Sequence, residues 1–165
     1  FSLEKKKTLQ NLETIAKLCE DFVPLADRVE YVRTVNGVDF YNDSKATIIE
    51  STAQAVQKFS DRPPILFLGG LSKGVDRSAL IKQLKNKVKR IICFGSEADS
   101  LHAFCIDQDI VSSSHATLEE AFACCMQVAQ KKDVVLFSPS GSSYDLFKNY
   151  AERGKVFKQL VNELV

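Results

Sequence analysis

The strongest constraint on this chain is a rhythm: short, wholly apolar runs alternate with stretches whose apolar residues recur every three or four positions. Ile65–Leu68, Ile91–Phe94 and Val134–Phe137 are of strand length and lack the in-out alternation of a half-solvated sheet. Strands apolar on both faces belong inside a parallel sheet, and parallel neighbours need a crossover, usually a helix. The spacing predicts helices over Ala46–Phe59, Arg77–Asn86, Glu97–Phe104, Leu118–Gln130 and Tyr144–Leu164. It predicts strands over Ile65–Leu68, Val88–Phe94 and Val134–Phe137, with a minimal one at Ile110–Val111.

Ahead of this rhythm, Arg28–Val35 and Val38–Tyr41 flank Asn36-Gly37, a short-range hairpin signal. Earlier still, Leu9, Leu12, Ile15, Ala16 and Cys19 mark a helix over Thr8–Phe22 that Pro24 closes. The expected fold is α/β: a Rossmann-like, mainly parallel sheet flanked by helices, with an antiparallel hairpin edge at its N-terminal side. The one candidate boundary lies near Val23–Asp27, dividing the chain into residues 1–26 and 27–165.

Composition narrows the function. Lys and Arg total 22 against 21 Asp and Glu, so the net charge of +1 gives no footprint for nucleic acid or an acidic membrane. No apolar run approaches the ~20 residues of a membrane-spanning helix. The charged start Phe-Ser-Leu-Glu-Lys-Lys-Lys does not read as a signal peptide. The missing initiator Met suggests a chain cut from a longer one, or one whose Met is removed on maturation. Cys19, Cys93, Cys105, Cys124 and Cys125 are odd in number and contain no CxxC pair, which favours reduced, core-filling thiols in the cytoplasm. Cys105 follows His102 by three residues, but no second ligand pair completes a metal site, and His102 and His115 read as solvated.

In an open parallel sheet, ligands bind beyond the carboxyl ends of the strands. Three strand-to-helix loops there are polar: Asn42-Asp43-Ser44-Lys45-Ala46-Thr47, Gly69-Gly70-Leu71-Ser72-Lys73-Gly74 and Ser138-Pro139-Ser140-Gly141-Ser142-Ser143. All three are expected on one edge. Lys73 precedes Gly74, so the second loop fails the GxxxxGK[ST] phosphate-loop pattern and reads as a tight turn presenting one cation or a solvated lysine. The serine loop reads as an anion site at the start of a helix or as helix capping. Asp43 suits a ribose hydroxyl or a cap. No GxSxG nucleophile elbow is present. An acid, two lysines and several hydroxyls on one edge suit a small molecule carrying carboxylates, with Lys73 pairing one by charge and Thr47 and Ser143 adding hydrogen bonds.

In this order, the three loops resemble the C-terminal domain of the Mur ligases, the ATP-dependent amide-forming enzymes of peptidoglycan synthesis. The resemblance continues through Asp145-Leu146-Phe147-Lys148-Asn149-Tyr150-Ala151-Glu152-Arg153-Gly154, similar to the family's D-x-F-K-x-[FY]-x-x-R-G. From Arg28 to Gly154 it covers about three quarters of the chain. Asp43-Ser44-Lys45-Ala46-Thr47 is most similar to the D-glutamate-adding branch.

The resemblance implies N-terminal and central domains beside this one, with residues 1–26 as the last helix of the central domain. It implies ATP and Mg2+ bound mainly by those other domains, and D-glutamate added to UDP-MurNAc-L-alanine through an acyl-phosphate. It places Thr47, Lys73, Ser143, Tyr144 and Tyr150 around D-glutamate, with Arg28 near the nucleotide's phosphates, Asp43 near its ribose and Lys45 on the nucleotide side. Tyr144 and Tyr150 stand where relatives carry Leu and Phe, which makes the wall more polar. No catalytic residue and no metal ligand is expected on this chain, which alone is expected not to turn over. A related ligase such as folylpolyglutamate synthetase, or a stand-alone Rossmann-like binding module, are the alternatives.

Overall fold

The computed structural model describes residues 25–165, and the expected helix Thr8–Phe22, with Cys19, lies outside them. Six strands form one sheet: β1 (Glu30–Val35), β2 (Val38–Asn42), β3 (Ile65–Gly69), β4 (Arg90–Phe94), β5 (Ser112–His115) and β6 (Val134–Phe137). Their spatial order is β1-β2-β6-β3-β4-β5. Only the β1–β2 pair is antiparallel, and every other pair is parallel. Five helices follow: α1 (Ile49–Gln57), α2 (Ser78–Leu84), α3 (Ala98–Asp107), α4 (Leu118–Val128) and α5 (Tyr150–Asn162). The α/β architecture matches the sequence expectation.

The period-2 geometry of the strands explains why they are apolar throughout. Ile65, Phe67, Ile92, Phe94, Val135 and Phe137 face α4 and α5, while Leu66, Leu68, Ile91, Cys93 and Leu136 face α1, α2 and α3. On the first face Phe137 stacks on Phe157 of α5, centroids 4.4 Å apart, and on Phe94 at 5.6 Å. Such aromatic pairs add to the gain from burial alone. The hairpin turns as its sequence predicts: Asn36 and Gly37 both take positive φ, at 52° and 80°.

Two elements depart from the sequence expectation. The fifth strand is Ser112-Ser113-Ser114-His115, and Ile110–Val111 is not a strand. An edge strand pairs on one side only, and β5 satisfies its polar side chains laterally. Ser112 Oγ meets His102 Nδ1 at 2.8 Å, and His115 Nε2 meets Ser113 Oγ at 3.0 Å. Both histidines are therefore half-buried and partnered, and not solvated as expected. The last helix starts at Tyr150, six residues later than its periodicity suggested. Asn149 caps it, its Oδ1 accepting from the Glu152 amide at 2.8 Å. Residues 144–149 instead turn back on Ser143, whose carbonyl accepts from the Phe147 amide at 2.8 Å. The serine loop is thus not at a helix N-terminus. Other boundaries differ by one to three residues. No described helix is long and apolar enough to cross a membrane.

Cys93, Cys105 and Cys125 are buried and unbridged, and Cys124 is half-buried. Burial pushes the Cys125 thiol up to about 12, so it stays protonated and inert.

Candidate functional site

Because β2, β6 and β3 are adjacent and parallel, the loops that leave them emerge side by side. Loop 1 runs from Asp43 to Ile48, loop 2 from Gly70 to Asp76, and loop 3 from Ser138 to Asn149. Backbone hydrogen bonds stitch them together. The Ser140 amide donates to the Ala46 carbonyl at 3.0 Å, and the Gly69 amide to the Pro139 carbonyl at 2.9 Å. Leu71 and Ser142 exchange two bonds, of 2.8 and 2.9 Å, as a one-residue antiparallel bridge. The contact is close enough that a Cβ on Gly141 would stand 2.3 Å from the Gly69 carbonyl oxygen.

Two buried arginines close the junction. Arg153, on α5, has no exposed surface. It donates Nη2 to the Ser44 carbonyl at 2.8 Å, Nε to Ser44 Oγ at 3.1 Å and Nη1 to the Gly141 carbonyl at 2.9 Å, tying loop 1 to loop 3. Burial lowers its pKa to about 10, which still leaves it charged at neutral pH. Arg77, 3% exposed, donates to the carbonyls of Gly69 and Gly70, both at 3.0 Å, and to Glu97.

The joined loops and the start of α5 carry the residues expected around the amino acid. Thr47 follows Ala46, bonded to loop 3, and is exposed. Ser143 is buried, next to the Leu71–Ser142 bridge. Lys73 is exposed and holds a left-handed backbone, φ 53°, with its ammonium 5.9 Å from the Tyr144 ring centroid. Tyr150 opens α5, its carbonyl accepting from Ser44 Oγ at 2.7 Å, and the Lys45 ammonium lies 5.5 Å over its ring. Ser140 also holds a left-handed backbone, φ 58°, and its hydroxyl is buried without a partner among the described residues. Strain of this kind persists where surrounding structure over-determines it, typically at ligand sites.

Arg28 and Asp43 meet on the other side of loop 1. With Val29, Ser51, Gln54, Ala55 and Lys58 they line a recess of about 120 Å³. Asp43 Oδ1 accepts from the Val29 amide at 3.1 Å and Oδ2 from Ser138 Oγ at 2.7 Å. A carboxylate has about four acceptor positions, so acceptor capacity remains. Lys45 lies against Tyr150 and does not line this recess.

Burial raises the Asp43 pKa, against the pull of the Ser138 and Val29 hydrogen bonds and of the Lys58 and Arg28 charges. A carboxyl raised in the folded state favours folding when protonated. Its contribution therefore declines as pH rises from the unfolded value, about 3.9, through the folded one. The Asp43 13Cγ resonance is expected to titrate above the ordinary aspartate range. Asp43→Asn removes that part of the pH dependence of stability.

The sequence pattern gives no role to Arg77, Arg153 or Glu97. Arg153 falls within the Asp145–Gly154 segment that carries the family resemblance, whereas nothing in the sequence marks Arg77 as buried. A cavity of about 410 Å³ lies at the opposite edge of the sheet among Arg62, Lys89, Lys132 and Asp133. There Arg62 pairs with Asp39 and Lys89 with Asp133, so most of its charge is spent internally. No cluster of three or more His, Cys, Asp or Glu able to hold a metal lies among the described residues.

Residues 27–141 match the family model described as Mur ligase, glutamate ligase domain. The chain is 39% identical over 154 residues to a UDP-N-acetylmuramoylalanine–D-glutamate ligase of Pseudothermotoga lettingae, covering 93% of this chain and 36% of that protein. It is also 39% identical, over 153 residues, to the enzyme of that name from Nitratidesulfovibrio vulgaris, covering 92% and 34%. The chain thus spans about a third to two fifths of the length of the curated relatives it matches. Among solved structures, MurF from Acinetobacter baumannii superposes with a TM-score of 0.62 at 14% identity, covering 92% of this chain and 34% of that one. E. coli FolC in complex with ADP gives 0.59 at 14% identity, covering 84% and 32%. At these identities the two structures speak for the fold alone.

Proposed function

This chain belongs to the Mur ligase family through its glutamate ligase domain, and from that premise we propose that it is the C-terminal domain of an ATP-dependent ligase joining D-glutamate to UDP-MurNAc-L-alanine in the cytoplasm. The observation that supports the reading is the three-loop junction, whose loops carry Thr47, Lys73 and Ser143, with the exposed Lys73 ammonium 5.9 Å from the Tyr144 ring.

In this reading Lys73 pairs a carboxylate of D-glutamate, while Thr47 and Ser143 supply hydrogen bonds and Tyr144 and Tyr150 wall the pocket. Charge-assisted pairing is the strong form of such recognition. Holding the amine at the end of a fixed rim converts a two-body encounter into a positioned attack. The amine nitrogen attacks the acyl-phosphate carbonyl, phosphate leaves, and the nitrogen gives up a proton as the amide forms.

Across loop 1, Arg28 faces the phosphates of ATP or ADP and the spare acceptor capacity of Asp43 takes a ribose hydroxyl. Ser51, Gln54 and Lys58 share that recess. Lys45, over the Tyr150 ring and outside that recess, is assigned to the nucleotide side by the resemblance alone. The sequence lacks a GxxxxGK[ST] loop and the described residues hold no metal-ligand cluster. The resemblance assigns phosphate activation and Mg2+ to the N-terminal and central domains, and the 165-residue chain alone is expected to be inactive.

The test is phosphate release by the full-length gene product supplied with ATP, Mg2+ and UDP-MurNAc-L-alanine. Release that depends on D-glutamate, and not on L-glutamate, is the expected result. Dependence on another amino acid would overturn the substrate. No amino-acid dependence would overturn the ligase reading and leave a binding module.

A further inference from the structure

Loop 2 and the glycine before it are tethered at every residue from Gly69 to Val75 except Lys73. The Gly69 and Gly70 carbonyls accept from the two terminal nitrogens of Arg77, each at 3.0 Å. Leu71 is paired with Ser142 in both directions. Ser72 donates its amide at 2.9 Å and its hydroxyl at 3.2 Å to Glu97 Oε1. Gly74 donates to Ser72 Oγ at 3.3 Å, and the Val75 amide to the Ser72 carbonyl at 3.1 Å. Lys73 is the residue these bonds skip, and it is the one non-glycine residue of the stretch held in a left-handed backbone.

Two side chains make half of these bonds, and they come from different elements. Arg77 immediately precedes α2, and Glu97 immediately precedes α3. They bond each other while their remaining polar atoms hold the turn. A buried guanidinium needs such a partner, because an unpaired charge at 3% exposure is costly. Burial alone would raise the Glu97 pKa, but the Ser72 amide and the Arg77 charge hold it below the usual range, so the pair stays ionised.

We propose that the Arg77–Glu97 pair is a positioning device for Lys73: it fixes the backbone of residues 69–74 so that the Lys73 ammonium stands in place for the substrate carboxylate. The proposal rests on the amino-acid reading of the rim given above. Neither side chain is a catalytic residue. Glu97 touches the loop at Ser72 and Arg77 touches it at two carbonyls, so their effect passes through the turn.

The test uses the 15N-labelled chain titrated separately with D-glutamate and ADP, for wild type, Glu97→Gln and Glu97→Ala, with thermal unfolding of each. Glu97→Gln keeps the size and one acceptor, so it guards against failure of Glu97→Ala to fold. D-Glutamate is expected to shift the Ser72–Gly74 amides of the wild type. In the variants its dissociation constant should rise about five- to tenfold, since Lys73 keeps its charge but loses its fixed place, a partial loss of the pairing. The ADP response at Val29 should be unchanged, which a general loss of structure would not allow. Heteronuclear NOE values at residues 72–74 should fall without ligand.

D-Glutamate affinity within twofold of wild type in both variants would overturn the positioning role alone. Equal loss of the ADP and D-glutamate responses would overturn it in favour of a structural role. No wild-type response to D-glutamate would overturn the reading of the rim together with the role, while the NOE comparison would still report whether the pair orders the turn.

Discussion

Lys73→Ala in the full-length enzyme is expected to cut D-glutamate-dependent phosphate release by on the order of a hundredfold or more. Breaking one side of a desolvated charge pair costs about 2–5 kcal/mol, because the other charge is left unpaired. At about 1.4 kcal/mol per decade, that range spans more than one and up to nearly four powers of ten. The loss should appear in kcat/KM for D-glutamate, with KM for ATP unchanged, since Lys73 and the Arg28–Asp43 recess lie on different loops. The left-handed backbone at Lys73 supplies an internal control. Ala keeps its strain and Gly relieves it, a difference of about 1 kcal/mol. Lys73→Gly should therefore lose as much activity as Lys73→Ala while unfolding at a higher temperature. If either variant kept activity within threefold of wild type, the carboxylate role would be lost.

The parts of the molecule legible in sequence are those governed by local periodicity. Ile65–Leu68 and Val134–Phe137 read as buried parallel strands because both faces meet helices, and they are such strands. Asn36-Gly37 read as a hairpin because few other residues take positive φ twice in succession. What sequence hid depends on long-range partners. Ser112–Ser114 carry no apolar pattern, and their strand is stabilised by β4 on one side and by His102, Cys124 and Asp99 through their hydroxyls. Ser143 looked like the head of a helix until Asn149 claimed the cap. The loops that carry the rim were visible as polar insertions, but not what fixes them. Arg77 read as an ordinary helix residue, since only the folded chain brings Gly69, Gly70 and Glu97 around it.

Arg153 extends that argument to stability. Arg153→Met keeps the apolar stem but abandons the Ser44 and Gly141 carbonyls in a region with no exposed surface at this side chain. Each orphaned acceptor costs about 1–3 kcal/mol, so the two carbonyls together cost about 2–6 kcal/mol. For a domain of this size, 1 kcal/mol corresponds to about 2–4 °C, so the thermal midpoint should fall by about 10 °C. Lys155→Met, exposed on the same helix, should move it little. Arg153→Lys should fall between, because one ammonium cannot span both loops as the planar guanidinium does. Below its midpoint the Met variant should also weaken the D-glutamate and ADP responses together. Arg153 ties loop 1, which serves both ligands, to loop 3, whereas Arg77 and Glu97 hold loop 2 alone. A midpoint within 3 °C of wild type would mean that the Leu71–Ser142 and Ala46–Ser140 bonds suffice to hold the three loops, and that the buried charge is dispensable.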